Sequence, residues 1–320
     1  MQVLVTGGLG YIGSHTSVLL LEKGYDLVIV DDLSNSNEKV IENISQITSK
    51  VPVFEKIDLK DKESVSKLFN NYDFDGIIHF AAHKSVNESV NYPDKYFKNN
   101  VGSLENIIYE IQKLKKPMNF IFSSSCTVYG QADSMPINEG FELKKAESPY
   151  GQSKRKCEEI LENFHKAGHN FKNITLRYFN PIGAHPTSLI GELPIGIPEN
   201  LVPYITQTAV GKRDHLTVFG NDYDTNDGTC VRDYIHIMDL AEVHITCLEK
   251  LMNIKDNSFF NVYNVGTGKG TSVLELINLF EKVNQLKLNY KIGKRRDGDV
   301  VTAYADTSKI KNELNWSTKY

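Results

Sequence analysis

A tyrosine and a lysine four residues apart, Tyr150 and Lys154, stand in the segment S-P-Y-G-Q-S-K. On a helix such a pair shares one face about 5 to 6 Å apart, and the ammonium can lower the phenol below its usual pKa of about 10, giving a tyrosinate base at neutral pH. The spacing recurs at Tyr109/Lys113 and Tyr290/Lys294, so it does not by itself choose among the three. Tyr150/Lys154 is set apart because it opens a helix after the strand that ends in Ser123, Ser124 and Ser125. That places hydroxyls at the carboxyl edge of a sheet, where ligands bind in open α/β folds. Tyr150 is expected as acid/base, Lys154 as the partner that lowers its pKa, and Ser125 as a proton relay to the substrate.

The second chemical signal is T-G-G-L-G-Y-I-G, Thr6 to Gly13, which scans as G-x-G-x-x-G from Gly8 and as G-x-x-G-x-x-G from Gly7. Either phasing sets three glycines in a strand-to-helix turn, with Gly7, Gly10 and Gly13 in the second. A side chain there would hold the backbone away from a pyrophosphate, whose charge is met by helix N-terminal amides. Asp31 ends the next apolar run at about the expected spacing of roughly 20 residues. Its carboxylate suits ribose hydroxyls and repels a 2′-phosphate. With Asp32 beside it and no Lys or Arg until Lys39, the pattern implies NAD rather than NADP, and Lys154 is then expected at the nicotinamide ribose. Asp58 and the Phe80-Ala81-Ala82 turn fall where further cofactor contacts belong, although spacing alone also fits ordinary loop starts.

These residues need a scaffold, and the apolar rhythm supplies one. Short β-branched runs at Val3 to Thr6, Leu27 to Asp31, Val51 to Ile57, Gly76 to Phe80, Asn119 to Ser123 and Ile174 to Phe179 alternate with helical patterns at Ile12 to Lys23, Ser64 to Asn70, Asp94 to Leu114 and Ser148 to His165. That alternation predicts βαβ units in a parallel sheet. The expected fold is α/β, a Rossmann-type doubly wound parallel sheet with a smaller mixed α/β substrate-binding region. The division is placed at 1–180 for the NAD-binding domain and 181–320 for the substrate region. The Pro- and Gly-rich stretch Asn180 to Asn200 opens the latter, and the runs Leu216 to Phe219, Cys230 to Ile237 and Phe260 to Val265 are candidates to return to the main sheet.

Composition bounds the partners. The 320 residues are 40% hydrophobic and 24% charged, which excludes a disordered or disulfide-scaffold chain, and a net charge of -4 gives no global basic field for nucleic acid or an anionic membrane. No stretch approaches the ~18 apolar residues of a membrane span. Cys126, Cys157, Cys230 and Cys247 show no C-x-x-C spacing, which suits a reducing, cytoplasmic compartment. His165 and His169, without a nearby acid in frame, read as a helix end rather than a metal site, so no metal is expected. The G-T-G-K-G turn, Gly266 to Gly270, lacks Walker spacing and reads as a bend.

Taken together, T-G-G-x-G-Y-I-G, S-S-S-C-T-V-Y-G, S-P-Y-G-x-S-K, L-R-Y-F-N-P-I-G-A-H-P and D-G-T-C-V-R-D-Y-I-H resemble the UDP-galactose 4-epimerases among the extended short-chain dehydrogenase/reductases, from residue 2 to about Trp316. The resemblance implies tightly held NAD and a UDP-hexose that loses hydride from C4, turns its 4-keto face and regains the hydride. It implies cofactor contacts at Tyr11, Ile12, Asn35, Ser36, Leu59, Lys84, Asn99 and Tyr178. For the substrate it implies Arg232 and Arg296 on the diphosphate, and Lys84, Asn180, Asn200, Leu201, Phe219 and Asp299 on the sugar, phosphates or uracil. It also implies a homodimer packed through Asp94 to Leu114 and Ser148 to His165.

Related dehydratases and decarboxylases carry an acid before the Val-Tyr pair, whereas Cys126 and Thr127 stand here, which favours epimerisation. A 4,6-dehydratase and a non-catalytic NAD-binding sensor are the alternatives. The sensor should have lost the Tyr/Lys pair. Ala303 falls at a position that resembles a gate beside the sugar C2 substituent, where a small residue admits an acetamido group. Cys126, His83 and Glu199 are less usual at their positions. The chain stops at Tyr320, where such proteins usually continue into a closing helix.

Overall fold

The computed structural model describes residues 1–296 and 299–320. The strands are β1 (Gln2–Thr6), β2 (Asp26–Asp31), β3 (Val53–Lys56), β4 (Gly76–His79), β5 (Met118–Ser125), β6 (Phe171–Tyr178), β7 (Asn180–Ile182), β8 (Leu216–Phe219), β9 (Val231–Arg232), β10 (Tyr234–His236), β11 (Phe259–Val265), β12 (Thr271–Ser272), β13 (Tyr290–Gly293) and β14 (Thr302–Ala303). The helices are α1 (Tyr11–Glu22), α2 (Lys39–Thr48), α3 (Lys62–Asn71), α4 (Val86–Asn91), α5 (Pro93–Tyr96), α6 (Gly102–Lys113), α7 (Pro149–Lys166), α8 (Leu201–Ala209), α9 (Ile237–Asn253), α10 (Val273–Asn284) and α11 (Ser308–Leu314).

Seven strands form one parallel sheet in the order β11-β6-β5-β4-β1-β2-β3. Their side chains alternate between two buried layers. Val3, Val5, Ile29, Ile78 and Ile121 face α1 and α9, while Leu4, Val28, Ile77, Phe120 and Phe122 face the layer of α3, α6 and α7. A sheet covered on both sides explains why its runs read as nearly continuous apolar segments. The chain winds outward from β1 to β3 and then restarts at β4 on the other flank of β1. The crevice therefore opens at the carboxyl ends of β1 and β4, which is where the Gly7 turn and the Phe80-Ala82 turn meet.

Several elements differ from the sequence reading. Of the later runs, only β11 joins the main sheet, beside β6; β8 pairs with β13 and β10 with β7 in separate small sheets. The helix expected from Asp94 to Leu114 is broken into α5, a wide π-helical turn over Phe97–Val101, and α6. Such turns bulge an extra residue out of the helical ladder and gather at functional sites. Here the turn presents Asn99 to the crevice, and Asn100 accepts from the His83 backbone amide at 2.8 Å while donating to Ser153 at 3.0 Å. Helix α2 lies outside the helical patterns read from the sequence, although Val40, Ile41, Ile44 and Ile47 have helical spacing and Ile44 is fully buried.

Candidate functional site

The glycines of the first turn are dictated by close approach. Gly7 has φ +65°, and a Cβ on it would sit 2.8 Å from the Ala81 amide nitrogen; a Cβ on Gly13 would strike the Gly7 carbonyl oxygen. Gly10 caps α1 without a side-chain hydrogen bond, and the first turn of α1 carries no acid, so the helix terminus presents its amides to an anion. Asp31 lies at the far side of this turn. Its Oδ2 accepts from the Leu9 amide at 3.1 Å, and its Oδ1 accepts from the Leu33 amide at 3.0 Å and the Ser36 hydroxyl at 2.7 Å. Burial pushes its pKa up and those three bonds oppose the push. A carboxylate offers about four acceptor positions, so one remains for a ribose hydroxyl. These features fit a dinucleotide.

One cavity of about 810 Å³ runs from this turn to the end of β5, and every expected cofactor residue lines it: Gly7, Gly10, Tyr11, Ile12, Gly13, Asp31, Asn35, Ser36, Asp58, Leu59, Phe80, Ala81, Ala82, Lys84, Asn99, Tyr150, Lys154 and Tyr178. Lys39, at the start of α2, also reaches its wall. Ser125, Asn180, Asn200, Arg232, Arg296, Asp299 and Ala303 line the same space. Leu201 and Phe219 lie outside that wall. Phe219 instead backs the cavity by stacking under the Arg296 guanidinium at 4.1 Å.

Ser148 caps α7 by accepting from the Gly151 amide at 3.1 Å, which fixes where the helix begins and so aims Tyr150 and Lys154 into the crevice. Burial pushes the Tyr150 phenol up to about 12, opposed by the Ser125 hydroxyl. Burial pushes the Lys154 amine down to about 8, opposed by Cys157 and Glu158. The phenol thus stands above its ordinary value, where the sequence reading places it below. Lys154 donates to the Ser123 carbonyl at 2.6 Å, and burial is the largest influence on the phenol. Ser125 holds its place through Thr127, whose hydroxyl donates to it at 3.0 Å and whose amide donates at 3.2 Å.

Behind this face lies an ion pair that sequence reasoning missed. Glu158, one turn beyond Lys154, is held by Arg177 of β6 through Nη2 to Oε2 at 2.6 Å and Nε to Oε1 at 3.0 Å, with both side chains buried. Ser124 donates to Glu158, and Arg177 donates to the Tyr129 hydroxyl at 3.0 Å. Tyr178 donates to the Ser123 hydroxyl, and burial pushes its phenol up. The i, i+4 spacing of Lys154 and Glu158 was a readable signal; the strand partner was not.

On the other wall, Arg232 donates to Asp299 at 2.6 Å and to the Val231 carbonyl at 2.9 Å. The next residue, Asp233, is fully buried and accepts from the Thr267 amide at 2.8 Å, the Thr267 hydroxyl at 2.7 Å, the Gly268 amide at 3.0 Å and the Ala305 amide at 3.1 Å. This explains the G-T-G-K-G bend as a loop wrapped on a carboxylate. Ala303 is 8% exposed beside Val128, Tyr129 and Phe179, while the neighbouring Tyr304 ring faces Gly270, away from the cavity. Among the described residues, no three His, Cys, Asp or Glu side chains are placed to hold a metal ion, and no helix is long and apolar enough to cross a membrane.

Residues 4–320 match the family profile described as GDP-mannose 4,6 dehydratase. The chain is 48% identical over 319 residues to the UDP-glucose 4-epimerase of Bacillus subtilis (strain 168), covering 100% of this chain and 93% of that protein. Among solved structures it resembles a UDP-glucose-4-epimerase from Stenotrophomonas maltophila with bound NAD and formylated UDP-arabinopyranose, at TM-score 0.95 and 43% identity over 100% of this chain and 94% of that one. It also resembles the UDP-Glc/GlcNAc 4-epimerase of Campylobacter jejuni, at TM-score 0.84 and 37% identity over 100% and 94%.

Proposed function

The chain belongs to the UDP-glucose 4-epimerase family, and from that premise we propose that it inverts C4 of UDP-galactose and UDP-glucose reversibly, with NAD as its cofactor. The observation that carries the reading is the meeting of Ser125, Tyr150 and Lys154 in the one cavity that also contains the Gly7 turn and Asp31. NAD, when bound, supplies a hydride acceptor and donor for the sugar carbon. The turn from Gly7 to Gly13 would hold its pyrophosphate, Asp31 a ribose, and Lys154 the nicotinamide ribose.

The side chains handle the proton. With its phenol pushed up to about 12, Tyr150 is an acid at neutral pH until positive charge nearby stabilises the phenolate. Lys154, pushed down to about 8, is still mostly protonated at neutral pH and supplies such charge. Ser125 carries the proton between the sugar 4-hydroxyl and Tyr150. Arg232 and Arg296 are assigned to the diphosphate, with Asp299 orienting Arg232; Asn180, Asn200, Leu201 and Phe219 are assigned to the remainder of the nucleotide sugar. Removal of water from C5 and C6 needs a further donor, and Cys126 and Thr127 stand where dehydratases carry an acid, which supports epimerisation despite the name of the matching profile.

We assign residues 1–180 to the cofactor and 181–320 to the sugar nucleotide, with α9 and β11 returning to the cofactor sheet. Ala303 in the cavity wall supports acceptance of N-acetylated UDP-hexoses as well. The four free cysteines support a cytoplasmic setting. The resemblance supports a homodimer through 94–114 and 148–165, to be tested by light scattering at micromolar concentration, where a monomer rejects it. The decisive experiment follows UDP-glucose formation from UDP-galactose by the purified chain without added NAD. Absence of conversion both there and with added NAD would falsify the assignment.

A further inference from the structure

Two stretches face each other across the mouth of the cavity, the segment from Lys84 into α4 and the loop 189–200. They are joined by one oxygen atom. Glu192 Oε1 accepts from Lys84 Nζ at 2.9 Å and from Asn200 Nδ2 at 2.6 Å. The Glu192 side chain is 9% exposed and that of Lys84 is 49%, so a sheltered carboxylate grips a half-exposed ammonium. The carboxylate also lies close enough to Tyr11, the first residue of α1, to act on its phenol through charge. Glu192 therefore touches a residue assigned to the cofactor and one assigned to the sugar nucleotide, and was itself assigned to neither.

The flanking side chains are out of keeping with a solvated rim. Leu193 and Ile195 on the loop are 77% and 66% exposed, Val86 and Val90 on α4 are 44% and 62% exposed, and all four line the cavity. Aliphatic groups in that position have burial still to gain, at roughly 25 cal/mol per Å², when the two lips meet over a bound molecule.

We propose that Glu192 is a clasp that ties the 189–200 loop to Lys84 and thereby sets how long the dinucleotide stays in the cavity. The proposal rests on the NAD and UDP-sugar reading above and adds a positioning residue to it. Glu192 acts through Lys84 and Asn200, and the aliphatic lips close where it draws them together. Its negative charge makes the opposite outcome physically real. Were Glu192 only a repulsive neighbour of a pyrophosphate, removing its charge would lengthen retention.

The test loads the full chain with NAD, removes the excess by gel filtration, and measures protein-bound NAD against time by acid extraction, with no sugar present. For wild type, release should quicken several-fold as ionic strength rises from about 0.05 to about 0.5 M, because a half-exposed ion pair is screened. Glu192→Gln should release NAD about tenfold faster at low salt, from the loss of a charge-assisted bond, and should lose most of the salt dependence. Glu192→Asp, which keeps the charge on a shorter stem, should fall between the two. Leu193→Ser with Ile195→Ser should quicken release without altering its salt dependence. Melting temperatures measured without NAD should agree among all variants within about 2 °C. Equal or slower release from Glu192→Gln overturns the clasp. A wild type that takes up no NAD on loading overturns the cofactor reading beneath it.

Discussion

The two walls of the cavity are built by different means. On the side proposed for the cofactor, backbone does most of the positioning: largely buried strands end together, Gly7 and Gly13 leave no room for a side chain, and a helix terminus presents its amides. On the side proposed for the sugar, side chains do it, through Arg232 to Asp299, Asp233 to three backbone amides and the Thr267 hydroxyl, and Glu192 to Lys84 and Asn200. The strands there are only two to four residues long. A wall made of backbone tolerates few substitutions but needs few special residues. A wall made of tethered side chains can change its ligand one residue at a time.

Substitutions that remove chemistry without moving backbone should have the largest effect where the two walls meet. Tyr150→Phe should fold and keep NAD while losing about 10²- to 10⁴-fold in turnover of UDP-galactose, the usual contribution of a positioned acid/base. Turnover within a few-fold of wild type would remove Tyr150 from the proton path. On the sugar wall, wild type should interconvert both plain and N-acetylated UDP-hexoses. Ala303→Tyr should suppress only the acetylated pair, by roughly 5- to 150-fold, because a ring packed against the acetamido group costs ~1 to 3 kcal/mol. A wild type active on UDP-galactose yet inert on UDP-N-acetylgalactosamine removes the gate and leaves the epimerase reading intact.

Asp31→Ala on the cofactor wall should weaken NAD roughly tenfold, from loss of a hydrogen bond to a charged group, and narrow the preference over NADP. Calorimetric titration with both cofactors reads the two effects at once, and an unchanged ratio would mean that Asp31 does not choose between them. The smallest effect is on stability. His15 on α1, His79 on β4 and His244 on α9 are held down by burial to about 4, 3 and 4, against about 6.5 in an unfolded chain. Below that value the unfolded state binds more protons than the folded one, so stability falls as pH drops from about 6.5 toward 4, by about 1 kcal/mol per histidine per pH unit. Denaturant midpoints at pH 7 and pH 5.5 measure this, and equal midpoints would mean that the three rings find their protons in the folded state.

Legibility followed the same division. The glycine turn, Asp31 and the strand ends could be read because their chemistry needs residue types at short fixed spacing. Helix α7 could be read because Ser148 and Pro149 announce its start. The wide turn at Phe97–Val101 could not, since its apolar spacing is that of an ordinary helix and its shape depends on Asn100 bonding to His83 and Ser153. Nor could the pairs Arg177–Glu158 and Glu192–Lys84, whose members lie 19 and 108 residues apart in sequence. For Tyr150, sequence gave the neighbour but not its consequence, because burial of the phenol is a property of the assembled sheet.

Strand β11 carries a lesson for the order in which this molecule comes into being. It closes the sheet against β6, yet it lies at residues 259–265. While a ribosome has released only the first 180 residues, β6 is a bare edge of a nearly complete apolar sheet, and the face that α9 covers on α1 is open to water. Unpaired edges of that kind recruit other strands. The nascent chain must therefore be kept from its neighbours until β11 has emerged, and a gene cut at the apparent boundary near residue 180 should yield aggregate rather than a free-standing cofactor module.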